Sequence, residues 1–214
     1  MMENHLKEAF RLKNIVTLMM GLMFMAAGVS LSRIAGLGTS PIASIPNVLS
    51  YMMPLSIGSL TIIFMIVCVG VEIIFLKKKF SMANLLQIIP GSIFGMLINV
   101  FLSIFSFIQV TTYWQKLGLT VISIVVLAFG VYLEVASHSI ILPGEGVAKA
   151  ISIAMNKPFA KAKIWVDSSM VMVALILALV VFHSLTGIRE GTVLSALLVG
   201  HVVALFKRWF ADKV

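Results

Sequence analysis

Residues 139–147 read SIILPGEGV, in a chain that is otherwise nearly continuous in apolar residues. Pro143, Gly144 and Gly146 interrupt a helix, and Glu145 is a charge that lipid disfavours. The stretch is therefore either a turn at a membrane boundary or a broken helix around a ligand. The remainder of the chain decides what surrounds it. Of 214 residues, 60% are hydrophobic and 11% charged, and mean hydropathy is +1.11. Soluble domains carry about 25% charged residues. An aqueous fold of this size cannot bury so much apolar surface, which makes the chain an integral membrane protein. The apolar runs are long and do not alternate, which excludes a β-barrel and makes the class all-α.

Six spans are expected, at Ile15–Leu31, Leu55–Phe75, Ala83–Phe107, Leu117–Ser137, Ile164–His183 and Thr192–Phe206. The last is short for a crossing, which suggests a start nearer Gly187. With the N-terminus inside, 13 of the 16 Lys and Arg residues fall on the inner segments and only Arg33, Lys116 and Arg189 outside. That asymmetry follows the positive-inside rule and predicts cytoplasmic termini. It also accounts for the +8 charge without a nucleic-acid partner. Residues 3–13, with Leu6, Phe10 and Leu12, read as an amphipathic segment on the membrane surface, within a cytoplasmic N-terminal stretch 1–14. Tyr113, Trp114, Trp165 and Trp209 lie at span ends, as interfacial anchors do. The lone Cys68 lies in an apolar run and reads as a small buried residue.

Shifting the chain by 102 residues lays GVSLSRIAGLGTSPIASIPNVLSYMM, from Gly28, over GVYLEVASHSIILPGEGVAKAISIAM, from Gly130. Six of 26 positions are identical: Gly28 with Gly130, Val29 with Val131, Leu31 with Leu133, Pro41 with Pro143, Ser50 with Ser152 and Met53 with Met155. A shift of 105 matches Gly95 to Gly200 and Phe101 to Phe206. Each half then holds three spans and one short helix, repeat 1 over about 15–107 and repeat 2 over about 117–206. Because three is odd, the second half is inverted, a pattern that many secondary transporters share. The partner of SIILPGEGV is GTSPIASIP. Ser40 can cap a helix that starts at Pro41, and Glu145 suits the first turn of one that starts at Pro143. The free N–H groups of such starts hold anionic or polar groups. The sequence leaves open whether the two short helices re-enter the membrane or lie at its surfaces.

The stretches AGLGTSPIASIPNVL and GIREGTVLSALLVGHVVALF resemble the YczE/YyaS/YitT-like bacterial membrane proteins, and the resemblance runs over nearly the whole chain. It implies a bacterial inner-membrane protein, points towards transport, and names no substrate.

The expected function is a small secondary transporter, proton-coupled in its fuller form, with room for a homodimer. It would move a small polar or anionic solute across the lipid bilayer. Ser40, Ser44, Gly144, Glu145, Gly146, Asn99 and His201 are the expected substrate-binding residues. Glu145, His138 and Asp167 are the candidates for proton coupling. Asp167 is also four residues from Lys163, the spacing of a helical ion pair. Glu72 reads as a boundary residue beside the lysines. Arg33 and Glu134 are near one another in the repeat but near opposite faces in the topology, so Arg33 is expected to reach the outer headgroups. No nucleophile elbow, HExxH, P-loop or metal-ligand spacing is present, so no enzyme, metal or cofactor is expected. The alternative is a non-transporting membrane factor that supports another complex through the Gly91/Gly95 helix face and its basic surface.

Overall fold

The structure is a computed structural model that describes residues 9–210. Most of the amphipathic segment expected over residues 3–13 therefore lies outside the described residues; at its end, Phe10 and Leu12 are exposed. Eight α-helices and no strand are found among the described residues. They are α1 (Leu12–Ala35), α2 (Pro41–Leu49), α3 (Ile57–Leu76), α4 (Ile88–Ile104), α5 (Tyr113–Ala136), α6 (Pro143–Met155), α7 (Phe159–Phe182) and α8 (Glu190–Phe210). Six helical segments are long and apolar enough to cross a membrane, at Leu12–Ala35, Ile57–Lys79, Met82–Phe107, Tyr113–Ala136, Lys161–Phe182 and Glu190–Phe210. The chain is a multi-pass, all-α membrane protein. Two boundaries differ from expectation. The first helix continues to Ala35, where Gly36 at φ 70° ends it in the left-handed region. The last begins at Glu190 and, continuing past Phe206 through the charged Lys207 and Arg208 to Phe210, runs 21 residues.

The centre of the molecule is the pairing of α1 with α5. Side chains are absent where the two backbones are closest. A Cβ on Gly21 would lie 3.0 Å from Gly130 O, and one on Gly130 would lie 2.7 Å from Gly21 O. Small residues let membrane helices approach until backbone meets backbone, and dispersion then replaces the hydrophobic drive that lipid does not supply. Gly28 and Gly130, matched in sequence at the 102-residue shift, both lie in this interface. The core beside it contains Leu22, Met25, Ile42, Met65, Phe94, Ile98 and Leu142.

The two remaining matched glycines behave differently. Gly95 packs against Ile62 and the carbonyl of Gly58 on α3, whereas nothing lies within 4 Å of a Cβ on Gly200. Helix α8 sits at the rim, joined to α5 through Phe129, Tyr132, Phe206 and Phe210, with ring centroids 5.3 Å apart for Phe129–Phe206. Its start is also tied to the chain after α1, where Gly191 N–H donates to Leu37 O at 2.7 Å and Thr39 N–H donates to the Thr192 hydroxyl. Gly91 faces Met65 and Pro143, so the Gly91/Gly95 face is filled from within the chain rather than open to a partner.

The four boundary aromatics lie where expected. Tyr113 and Trp114 open α5, Trp209 is next to the end of α8, and Trp165 is near the start of α7; all are exposed.

Candidate functional site

The short helices α2 and α6 start next to each other, deep in the bundle. After α1, Gly36 and Gly38, at φ 70° and 103°, turn the chain back inward. Thr39 N–H, held by the Thr192 hydroxyl at 3.2 Å, brings it to Ser40 and Pro41. After α5, residues 137–142 lead in the same way to Pro143. Each proline occupies the first helical position, where its missing N–H costs no bond. The two starts meet at the Ile42 side chain, which fills the space a Cβ on Gly144 would take. Thr39, Ser40, Pro41, Leu142, Pro143 and Gly144 are all buried. The two helix starts are thus buried against one another inside the bundle.

Polar groups collect at this junction. Ser40 is the N-cap of α2, as expected, but its hydroxyl makes no capping bond. The first turn is closed instead by Ala43 N–H donating to Ser40 O at 3.0 Å. The hydroxyls of Ser40 and Thr39, at 3% and 0% exposure, are without a hydrogen-bond partner among the described residues. At the α6 start, Glu134 Oε1 accepts from Leu142 N–H at 2.8 Å, so a carboxylate of the chain sits at the positive end of that helix. Glu134 Oε2 has no partner among the described residues.

One turn along α6, Glu145 Oε1 lies 2.9 Å from Lys163 Nζ on α7, and Asp167 Oδ1 is equally close to the same ammonium. The expected i, i+4 pair is present, and Glu145 makes it a triad joining α6 to α7. Opposite, Glu72 on α3 and Gln87, in the 3-10 turn Met82–Gln87, press on Gly146. Gln87 Nε2 donates to Glu72 Oε2 at 3.1 Å.

Of the other expected site residues, Ser44 lies close to the junction and the rest are dispersed. Ser44 is buried near the middle of α2 and donates to Pro41 O at 2.6 Å. Asn99 Oδ1 accepts Gly58 N–H at 3.0 Å and so serves the first turn of α3. His201 is exposed on α8, with its ring nitrogen 2.7 Å from Leu197 O. His138 is exposed at a turn with φ 49°. The junction thus gathers Ser40, Ser44, Gly144, Glu145 and Gly146, with Asp167 attached through Lys163, and leaves Asn99, His201 and His138 aside.

Two expectations are corrected. Glu72 is not a boundary residue: it is 1% exposed, because Gly146 has no side chain to keep it from the α6 backbone. Arg33 does not extend to headgroups. It donates to Asn47 Oδ1 and, at 2.8 Å, to Ser50 Oγ, and lies over the Tyr51 ring at 4.9 Å from the centroid. Asn47 Nδ2 in turn donates to Gly187 O at 2.8 Å. This polar group ties α1, α2 and the α7–α8 connection at the end of the bundle away from Lys77–Lys79. Glu134, Glu72, Gln87 and Lys163 were not among the expected site residues. A carboxylate within a span was the available signal for the first two.

The chain belongs to the family of unknown function DUF6198, whose profile matches residues 12–208. Neither a curated protein nor a solved structure matches it.

Proposed function

We propose that the chain is a small secondary transporter that moves a small polar or anionic solute by alternating access, with the solute handled where α2 and α6 begin. The observation that carries this reading is the buried meeting of two proline-led helix starts, lined by three polar groups with unbonded oxygens: Thr39, Ser40 and Glu134. A buried polar atom without a partner is costly, and broken helices at the middle of membrane transporters use such starts to hold substrate groups. The two starts are not alike. The unbonded hydroxyls at α2 suit an anionic or acceptor end of the solute. Glu134 Oε2 at α6 suits a donor end. Ile42, Phe94 and Leu142 of the central core are buried in one cluster that includes both helix starts.

The repeat read from the sequence, if inverted as its odd span count requires, would support alternating access through two matched pairs, Gly28 with Gly130 in the central interface and Pro41 with Pro143 at the helix starts. Opening towards the lysine-rich end would part Glu145 from the Lys163–Asp167 pair. Opening towards the other would part Arg33 from Asn47. Proton coupling falls to Glu145 and Asp167 rather than to the exposed His138. We place the protein in the bacterial inner membrane with cytoplasmic termini. This rests on the clustering of basic residues and on the likeness to the YczE/YyaS/YitT-like proteins.

The test is a thermal-unfolding screen of the purified protein against amino acids, organic anions, nucleobases and inorganic ions at two pH values. A ligand at 100 times its dissociation constant adds about 2.7 kcal/mol to a two-state native form. A hit weakened by Ser40→Ala and by Glu134→Gln supports the site. A hit indifferent to both removes it from the α2–α6 junction.

A further inference from the structure

Four buried side-chain oxygens with no bonding partner among the described residues lie along α6 or its approach, on Glu72, Gln87, Glu134 and Glu145, and two of them converge. Glu72 Oε1 and Gln87 Oε1 both crowd the same side of Gly146, where an added Cβ would strike each of them. Glu72 is 1% and Gln87 5% exposed. The amide nitrogen of Gln87 donates to Glu72 Oε2 at 3.1 Å, and Glu72 Oε1 receives no hydrogen bond from it. Gly146 N–H is committed to Leu142 O at 3.0 Å. Exchanging the amide oxygen and nitrogen of Gln87 would only move the mismatch, because it brings an oxygen against Glu72 Oε2. Two acceptors brought together without a donor call for an electrophile between them.

We propose that Glu72 and Gln87 form a binding site for one monovalent cation, a proton or a sodium ion, held between Glu72 Oε1 and Gln87 Oε1 beside Gly146. A proton would sit on one oxygen and be shared with the other. A sodium ion would take both as ligands, as hard cations take oxygen. The charged and titratable groups around Glu72 are Cys68 on its own helix, Glu145 and Lys149 on α6, and Lys77–Lys79 after α3; α2 and α4 contribute none. Lys149 is exposed, so its ammonium is not the missing donor.

The site joins α3, the turn before α4 and the α6 half-helix. Occupancy therefore bears directly on how α6 is held. As a coupling site added to Glu145 and Asp167 it rests on the reading above. As a binding site it stands on its own geometry, and it is tested without flux.

The experiment uses the full chain in detergent, as wild type, Glu72→Gln and Gln87→Leu. Thermal unfolding is followed while sodium chloride replaces choline chloride at constant ionic strength. Infrared spectra at neutral pH are recorded for the C=O stretch of a protonated carboxyl group. If sodium is the guest, the midpoint rises with sodium and not with choline. Glu72→Gln abolishes the rise, and Gln87→Leu raises the half-saturating concentration at least tenfold. If a proton is the guest, sodium has no effect. The wild type then shows a protonated-carboxyl band that Glu72→Gln removes and Gln87→Leu shifts. Absence of both signals, or signals that persist in Glu72→Gln, overturns the proposal. Should Glu72→Gln fail to fold, Gln87→Leu decides, since it keeps the carboxylate: a band or sodium response identical to wild type overturns it. Cation binding without solute flux would leave the site standing and remove the transport reading.

Discussion

Replacing Glu134 by leucine removes the acceptor of Leu142 N–H while keeping a side chain of similar bulk. The bond is 2.8 Å long, to a residue 2% exposed, and it holds the turn that sets the start of α6. A hydrogen bond to a charged group contributes about 1.5–3 kcal/mol, and leaving the buried N–H unpaired lies at the upper part of that range. The leucine also removes Glu134 Oε2, itself unpaired, which offsets about 1 kcal/mol of the loss. The net expectation is a loss of about 2 kcal/mol, close to thirtyfold in the unfolding equilibrium constant. Glu134→Gln keeps a carbonyl acceptor in the same place, so it should cost less than about 1 kcal/mol. Denaturant unfolding of the purified protein in mixed micelles, with midpoints compared at constant slope, measures the difference. If leucine is as well tolerated as glutamine, Glu134 does not anchor α6 and the reasoning for this end of the junction fails.

Gly130→Ala should destabilise by about 1–3 kcal/mol, since its Cβ would lie 2.5 Å from Met25 N, a backbone atom that cannot step aside. Gly200→Ala, with nothing within 4 Å, should be neutral or stabilise by up to about 1 kcal/mol through helix propensity; the same unfolding assay reads both. Lys163→Met strands two carboxylates and should cost about 2 kcal/mol. That is less than the ~3–5 kcal/mol of a fully buried pair, because the lysine side chain keeps 27% of its surface accessible. Adding Glu145→Gln and Asp167→Asn should restore most of the loss in a mutant cycle. Reporter fusions at Lys213 and after Trp114 should place the first in the cytoplasm and the second outside.

The long apolar runs, the two Gly/Pro breaks and the lysine clusters were legible because each is local: hydropathy, helix breaking and flanking charge act within one segment. Lys163 and Asp167 were legible as a pair for the same reason, being one helical turn apart. Glu134 and Leu142 are eight residues apart across a turn, and Glu72 and Gln87 meet only because α3 and α4 pack antiparallel. Their convergence on Gly146 depends on how three elements dock, which no periodicity encodes. Asn99 and His201 were expected at the site because both are polar residues in apolar runs. Asn99 in fact serves the backbone of α3, and His201 the preceding turn of α8. The burial of Ser40 without a capping bond was equally hidden, since the spacing of Ser-Pro is the same whether or not the hydroxyl is used.

The most direct test of the transport account is whether the junction is reached from both sides of the membrane. Ser40→Cys in a Cys68→Ala background, reconstituted in vesicles, is exposed to a membrane-impermeant thiol reagent added outside or trapped inside. An alternating path predicts that the cysteine reacts from either side, slowly, and that no reagent leaks across. Reaction from neither side, under conditions where a surface cysteine at Trp114 reacts fully, would mean that the meeting of α2 and α6 is a sealed structural core.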